Sequence, residues 1–485
     1  MNGEGLQERG IWKTALLLAC VIAAWAAPSA PATAKGAPAG RLDPSFGRAG
    51  KAMVAFPAEN AGSVGVKYAL PFQFTAGHLV MARAPGGKIV VAGSTRIARL
   101  LPSGKLDPGF GAGGWVTIGR PPGMSFVLAG AAVDSQGRVL IGGSARPQPS
   151  SSTPDPLISS AMVMRFAADG SVDRGFGSEG TLITDFGIKP PTTNSGPYKG
   201  AAVGIRSLVV DAQDRPILTG GSVSEIIACY PGENSVSTAF VVRLTEAGAL
   251  DSSFGEAGLR QIADLSSLDQ GSLFPSGALF TVGSKLRCGS TVGKGPAVVL
   301  TSFGPEGSLD PGFGFSGFRS VGYSSPPIST VAPSGKIVLL GTKQKKSKSQ
   351  LVTRLLPNGA PDPSFGRIGR INLILPKGAA LAAVAVDGRG RLLFAGRSSK
   401  RVSKSPRNPL RRSTFWLGRM SPEGNIDRSF GRHGSVRTGF GGPSSSFATQ
   451  VMLYPRGRIV VGGGVSTPLL GTGGGFAVAR YLGGR

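Results

Sequence analysis

Leu42-Asp43-Pro44-Ser45-Phe46-Gly47 returns as Leu106-Asp107-Pro108-Gly109-Phe110-Gly111. It recurs with Asp173, Asp251, Asp310, Asp362 and Asp427 in the aspartate slot, which makes seven copies of Asp-x-x-Phe-Gly. Self-similarity at a near-constant spacing is the mark of a repeat architecture, and it outranks any residue-by-residue assignment. A second marker, a turn followed by an apolar run and a glycine, also occurs seven times. Gly87-Lys88-Ile89-Val90-Val91-Ala92-Gly93 is the first copy and Gly457-Arg458-Ile459-Val460-Val461-Gly462 the last.

One unit reads as four strands. Strand A covers about 129–133 and ends in Asp134-Ser135-Gln136-Gly137; strand B is 138–143; strand C is 161–167; strand D, after the Asp173 motif, is 181–186. Gln-Gly and Asp-Gly doublets suit tight hairpins because glycine accepts positive φ without steric cost. Short apolar runs between turn clusters, with no helical period, predict an all-β fold. Four strands per unit of roughly 60 residues, seven times over, predict a seven-bladed β-propeller.

A linear solenoid would require polar caps at both ends. The chain instead finishes on a strand C, Phe476–Tyr481, with no motif after it. It opens on a motif and a strand D (51–56) with no strands before them. Joining the two completes the seventh blade and removes the open sheet edges.

Eight residues before the aspartate lies an arginine: Arg99, Arg165, Arg243, Arg354 and Arg419. Ser302 takes that place before Asp310, and ring closure would pair Arg480 with Asp43. The expectation is structural. Each aspartate caps its own turn and holds the arginine across the hairpin, while the phenylalanine fills the space between blades. Seven equivalents spaced around a ring do not converge on a metal, and no metal or cofactor is expected.

The pattern G-[KR]-[IVL]-x-[VL]-x-G followed by R-[LF]-x-x-x-G-x-[LIV]-D-x-x-F-G-x-x-G resembles the bacterial delta-60 repeat family over about residues 41–485. That resemblance implies a secreted or surface repeat protein with no assigned reaction, so no catalytic residue carries over. The motif is also similar to the structural Asp-box of sialidase-like propellers, without the Trp and Thr of that box.

Residues 1–34 read as a secretory signal. Arg9 and Lys13 lead into an apolar run from Ala15 to Ala27, and Ala32-Thr33-Ala34 offers a cleavage site. Residues 35–40 form a short linker and 41–485 the propeller. Leu17-Leu18-Ala19-Cys20 resembles a lipobox, but the apolar run continues past Cys20, which favours cleavage near Ala34 over lipidation. The expected location is extracellular or the cell surface, with no membrane span once the signal is removed. Two cysteines then remain, Cys229 and Cys288, and an oxidising compartment allows a disulfide between them.

The formal charge is +27 from 53 basic and 26 acidic residues. Removing Glu4, Glu8, Arg9 and Lys13 with the signal leaves it unchanged. In a propeller the A–B and C–D turns share one face, and the B–C and D–A loops share the other. The irregular stretches 57–77, 144–160, 187–204, 222–238 and 397–413 all fall on the second face, the expected binding surface. The B–C loop of blade five carries Lys343, Lys345, Lys346 and Lys348. That of blade six carries Arg397, Lys400, Arg401, Lys404, Arg407, Arg411 and Arg412.

These eleven positive charges without an acidic residue predict an anionic partner, an envelope polymer or acidic polysaccharide. The secretory signal and the scarcity of aromatics argue against nucleic acid. A monomeric binding or scaffold module is the expectation. The alternative is a polysaccharide-acting hydrolase or lyase, with Asp264 and Asp269, ahead of blade four, as candidate carboxylates. The two histidines, His78 and His433, lie on separate elements, so neither a His metal site nor a His-dependent triad is expected.

Overall fold

The computed structural model describes residues 38–55, 79–148, 159–188, 201–224, 237–263, 265–285, 297–342, 349–402, 411–441, 444–466 and 475–484. The predicted signal segment and both cysteines lie outside them.

Strand β1 (Lys51–Ala55) comes first. Blade one is β2 (Val80–Arg83), β3 (Ile89–Ala92), β4 (Arg96–Leu100) and β5 (Trp115–Thr117). Blade two is β6 (Met124–Val133), β7 (Val139–Pro147), β8 (Ser160–Phe166) and β9 (Thr181–Thr184). Blade three is β10 (Ala201–Val210), β11 (Pro216–Ser224), β12 (Ser237–Arg243) and β13 (Leu259–Ala263). Blade four is β14 (Ser267–Leu273), β15 (Leu279–Lys285), β16 (Ala297–Phe303) and β17 (Phe318–Val321). Blade five is β18 (Ile328–Val331), β19 (Ile337–Gly341), β20 (Ser349–Leu355) and β21 (Arg370–Ile374). Blade six is β22 (Ala379–Val386), β23 (Leu392–Arg401), β24 (Arg411–Met420) and β25 (Ser435–Thr438). Blade seven begins with β26 (Ser445–Tyr454), β27 (Arg458–Ser466) and β28 (Gly475–Leu482).

Each blade is a four-stranded antiparallel sheet in chain order, except the seventh, which runs β26-β27-β28-β1. There β1 pairs with β28 from Lys51 opposite Ala479 to Ala55 opposite Gly475. The ring is therefore a closed seven-bladed propeller with no linear-solenoid ends. Ala39 and Gly40, which the sequence places in a linker, already bond into it. The Gly40 N–H donates to the Leu482 carbonyl, and the Ala39 carbonyl accepts from Gly431.

The apolar runs are buried between blades rather than within one. Ile97 and Val90 of blade one pack with Phe126, Val139 and Met162 of blade two. At the closure, Phe46 and Val54 join Val460 and Phe476 of blade seven and Ile89 and Val91 of blade one. No blade can bury both its faces alone, so the ring folds as a cooperative array.

The motif is the joint between neighbours. Asp107 Oδ1 accepts the Gly109 N–H at 3.1 Å, and its Oδ2 accepts Arg99 Nε at 2.7 Å. Arg99 lies over the Phe110 ring, 4.4 Å from the centroid, and reaches the Ala168 carbonyl of blade two through Nη1. The same set recurs at Arg165, Arg243, Arg354, Arg419 and Arg480, whose Nη1 groups reach the carbonyls of Glu246, Pro305, Pro422, Gly483 and Pro102. Arg480 Nε donates to Asp43 Oδ2 at 2.9 Å, tying the two ends of the chain. Each motif glycine adds a backbone bond to the next blade, as from Gly111 N–H to the Asp169 carbonyl at 2.6 Å. Gly111 has φ +54, and a Cβ there would lie 2.0 Å from the Trp115 oxygen, so only glycine fits this bend.

Burial by itself raises the Asp43 pKa. The Ser45 hydroxyl and N–H, then Arg480 and Arg458, overcome it and hold the carboxyl below its usual range. At Asp362 burial again acts upward, and Lys336, Ser364 and Arg354 outweigh it strongly. Asp107, Asp251 and Asp427 are also lowered. A carboxyl whose folded pKa is depressed contributes stability above the unfolded value of about 3.9, and that stability is lost as pH falls through the folded value. Thermal unfolding followed by circular dichroism is expected to give a Tm nearly constant from about pH 7 to about pH 5 and falling steeply below about pH 4.

The strands are longer on the B–C loop side than the sequence suggests. β6 begins at Met124 rather than near 129, and β7 runs on to Pro147. Five innermost strands carry a register shift, between Leu128/Gly130, Ile205/Ser207, Leu268/Gln270, Leu381/Ala383 and Ala448/Gln450. The extra residue of a bulge breaks the alternation from which strand length is read.

Candidate functional site

The clearest departure from the repeat is the β23–β24 hairpin of blade six. The sequence reads 397–413 as an irregular loop; the structure pairs much of it. Arg397 lies opposite Phe415, Ser399 opposite Ser413, Lys400 opposite Arg412 and Arg401 opposite Arg411. β22 pairs with β23 only as far as Ser398, and β25 pairs with β24 only from Phe415 onward. The last pairs therefore stand as a two-stranded arm beyond the four-stranded sheet.

Alternation along a strand puts Lys400 and Arg412 on one side of the arm, and Arg397 and Arg401 on the other. Arg397, Lys400, Arg401 and Arg412 are exposed. Arg397, Lys400 and Arg412 meet no carboxylate within 4 Å among the described residues. Like charges directly opposite each other in a ladder are destabilising. Lys343, Lys345, Lys346, Lys348, Lys404 and Arg407 lie outside the described residues, as do the Arg411 side chain and Asp264.

Asp269 is in strand β14, at the bulge, rather than in the loop before it. Its Oδ1 accepts the Ser267 hydroxyl at 2.7 Å and its Oδ2 the Ser284 hydroxyl at 3.0 Å. Arg206 occupies the equivalent bulge of the neighbouring β10. Burial lowers the Arg206 pKa, Asp269 opposes that shift and Arg146 adds to it. These three charges from blades two, three and four thus share one electrostatic neighbourhood. The sequence reading missed Arg206 and Arg146. The available signal was a lone arginine, Ile205-Arg206-Ser207, inside an innermost strand.

Beside this set, the inner strands are stitched by polar side chains at the residue after the bulge. Ser207 Oγ accepts the Gly271 N–H at 3.1 Å, Gln270 Oε1 the Ser329 N–H at 2.9 Å, and Gln450 Oε1 the Met81 N–H at 2.5 Å. Where the inner strands meet the A–B turns there is a hollow of about 370 Å³. Its lining residues include Leu273, Val331, Ala385 and Leu453. His433 lies in the turn before β25 with φ +54. Among the described residues, no group of three His, Cys, Asp or Glu side chains is arranged to hold a metal ion. No helix among them is long and apolar enough to cross a membrane.

Residues 85–110 match the family described as "Domain of unknown function (DUF5122) beta-propeller". No curated protein matches the chain. Similar solved structures include a protein of unknown function from Dyadobacter fermentans, 12% identical, covering 75% of this chain and 100% of that one at a TM-score of 0.37. A gluconolactonase from Xanthomonas campestris is 14% identical, covering 65% and 81% at 0.32. A Bacteroides caccae protein of unknown function is 10% identical, covering 61% and 82% at 0.32. At these scores the structural likenesses carry no argument about substrate or partner. The local family match and the closed ring of seven four-stranded sheets together support a propeller-type family for this chain.

Proposed function

We propose that the chain is a secreted or cell-surface propeller of the delta-60 repeat kind that binds an anionic polymer, of the envelope-polymer or acidic-polysaccharide class, through the face bearing the β23–β24 arm. The observation that carries this reading is the in-register placement of exposed Lys400 against exposed Arg412. An arm that sets Lys400 against Arg412 is stabilised by a polyanion lying along it, which relieves the repulsion between them. The formal charge of +27 steers such a polymer toward the ring.

The test is binding of polygalacturonate, with uncharged dextran as control, measured against ionic strength. Polygalacturonate is expected to bind and dextran not to, with affinity falling as salt screens the arm. Replacing Lys400, Arg401 and Arg412 together by serine is expected to weaken binding by about tenfold, because exposed ion pairs contribute about 0.2–1 kcal/mol each. Equal binding of both polymers, or an unchanged affinity in the triple variant, would overturn the reading. Polymer cleavage that disappears in Asp269→Asn would instead support the polysaccharide-acting alternative.

A further inference from the structure

The boundary between blades six and seven carries a pocket of about 450 Å³, set between strand β25 and the turn that leads into β1. Leu42, Pro44 and Val436 supply an apolar wall. Arg41, Lys51 and Arg437 bring three cations to it, and no acidic residue is in the lining. Pro44 and both arginines are exposed, and Leu42, Val436 and Lys51 are half-buried, so the pocket faces solvent.

Ring closure builds the pocket. The backbone bonds of Ala39 and Gly40 to Gly431 and Leu482 bring Arg41 and Leu42 beside blade six. Lys51 Nζ donates to the Gly439 carbonyl at 3.0 Å, which fixes the ammonium against the opposite wall. That bond uses one of three ammonium donors. Asp43, two residues from Arg41, is buried and its Oδ2 is held by Arg480 and Arg458. Among the described residues, Arg41, Lys51 and Arg437 meet no carboxylate within 4 Å.

The other blades show that the fold does not call for these charges. The place of Arg437 in strand D is taken by Met53, Thr117, Ile183, Gln261, Ser320 and Asn372, uncharged every time. The place of Lys51 holds a cation in one other blade, as Arg370, and that of Arg41 in one, as Lys105. All three cations occur together only at this boundary. Charges of one sign in a cleft with apolar walls concentrate their field, and a bound anion relieves their mutual repulsion.

We infer that this pocket holds one unit of an acidic sugar, its carboxylate among Arg41, Lys51 and Arg437 and the C–H face of its ring against Leu42, Pro44 and Val436. The volume lies in the range of small-molecule sites, about 300–1,000 Å³. A bare oxyanion leaves the apolar wall uncovered, whereas a sugar ring covers it. Guanidinium groups suit the carboxylate because they can pair with it through two parallel hydrogen bonds. The inference goes beyond polymer binding at the arm, because none of the arm's cations is in the lining. The two sites are close, since a Cβ on Gly439 would lie 3.7 Å from Thr414 Cγ2, two residues along β24 from Arg412.

Calorimetric titration of the full chain with millimolar galacturonate, galactose and inorganic phosphate, at constant ionic strength, tests it. Galacturonate is expected to bind, and galactose about tenfold or more weakly, the loss of a charge-assisted hydrogen bond. Phosphate, which cannot cover the apolar wall, is expected to bind less tightly than galacturonate. Arg437→Asn, which installs the residue of blade five, is expected to weaken galacturonate by about fivefold, the worth of one exposed charge pair. Adding Lys51→Thr, the residue of blade two, is expected to bring the loss to about tenfold or more. Should the double variant fail to fold, the single change at exposed Arg437 carries the test. The variant with Lys400, Arg401 and Arg412 replaced by serine is expected to keep full galacturonate affinity. Equal binding of galacturonate and galactose, equal or tighter binding of phosphate, or an unchanged affinity in Arg437→Asn overturns the inference, as does loss of galacturonate binding in the serine variant. Polygalacturonate binding without galacturonate binding sinks this inference and leaves the arm reading standing. Galacturonate binding with polymer affinity unaltered in the serine variant does the reverse.

Discussion

Replacing Arg480 by methionine is expected to destabilise the ring by about 3–5 kcal/mol, the cost of breaking a buried ion pair by removing one partner. The Arg480 and Asp43 side chains are 6% and 4% exposed. The loss leaves Asp43 buried with only Arg458, itself one-third exposed, at 3.0 Å. It also frees the Pro102 carbonyl of blade one and uncovers the Phe46 ring. The pair spans 437 residues of sequence, so it acts on closure as well as on one turn.

Asp43→Asn is expected to move stability the same way by a smaller amount, since the amide still accepts the Ser45 N–H. Arg174→Ala, at a pair whose partners are 80% and 75% exposed, is the control and should change stability by less than about 1 kcal/mol. Chemical denaturation of the three variants gives the comparison. Wild-type stability in both Arg480→Met and Asp43→Asn would remove the ion pair from ring closure.

Phe176→Ala is the second large effect, about 3–5 kcal/mol from lost burial and the cavity left behind. Phe176 is fully buried in the wedge between blades two and three with Leu140, Val163 and Leu244. Its ring lies against Gly248, where a Cβ would stand 3.0 Å from the Phe176 edge and φ is +87. Gly248→Ala therefore strains the same contact from the opposite side, and it is expected to destabilise through both the backbone and the clash. If Phe176→Ala melted with the wild type, the phenylalanine would be a surface ornament of the turn rather than the plug between blades.

Much of this molecule was legible in the chain. Seven motifs and seven apolar markers encode the blades because strand and turn formation depend on neighbours in sequence. The eight-residue step from Arg99 to Asp107 is a hairpin distance, so it predicts a contact without knowledge of the ring. Even the closure was readable, from a first strand and a last strand that lacked partners. The basic arm was only half legible. The charges of 397–413 stood out, but their pairing did not. A run of Arg, Lys and Ser has no apolar alternation to mark it as a strand, and the ladder between β23 and β24 is imposed by the hairpin below it.

The sequence by itself determined the number of blades, the order of strands within each, and the local partner of each motif aspartate. These rest on turns and on pairs a few residues apart. Only the tertiary structure decided which groups meet across blade boundaries. The arginine that holds its own aspartate also reaches the next blade's carbonyl, some 62 to 81 residues away or, at the closure, 378. The bulges that bring Arg206 into the field of Asp269 belong to this second class too. So does the place of Ser302, which in the sequence is one broken repeat and in the ring lies opposite Phe280, whose ring packs 6.3 Å from that of Phe313. The physical reason is common to all of these. Contacts between blades depend on where the ring places each sheet against its neighbour, and no spacing along the chain encodes that placement.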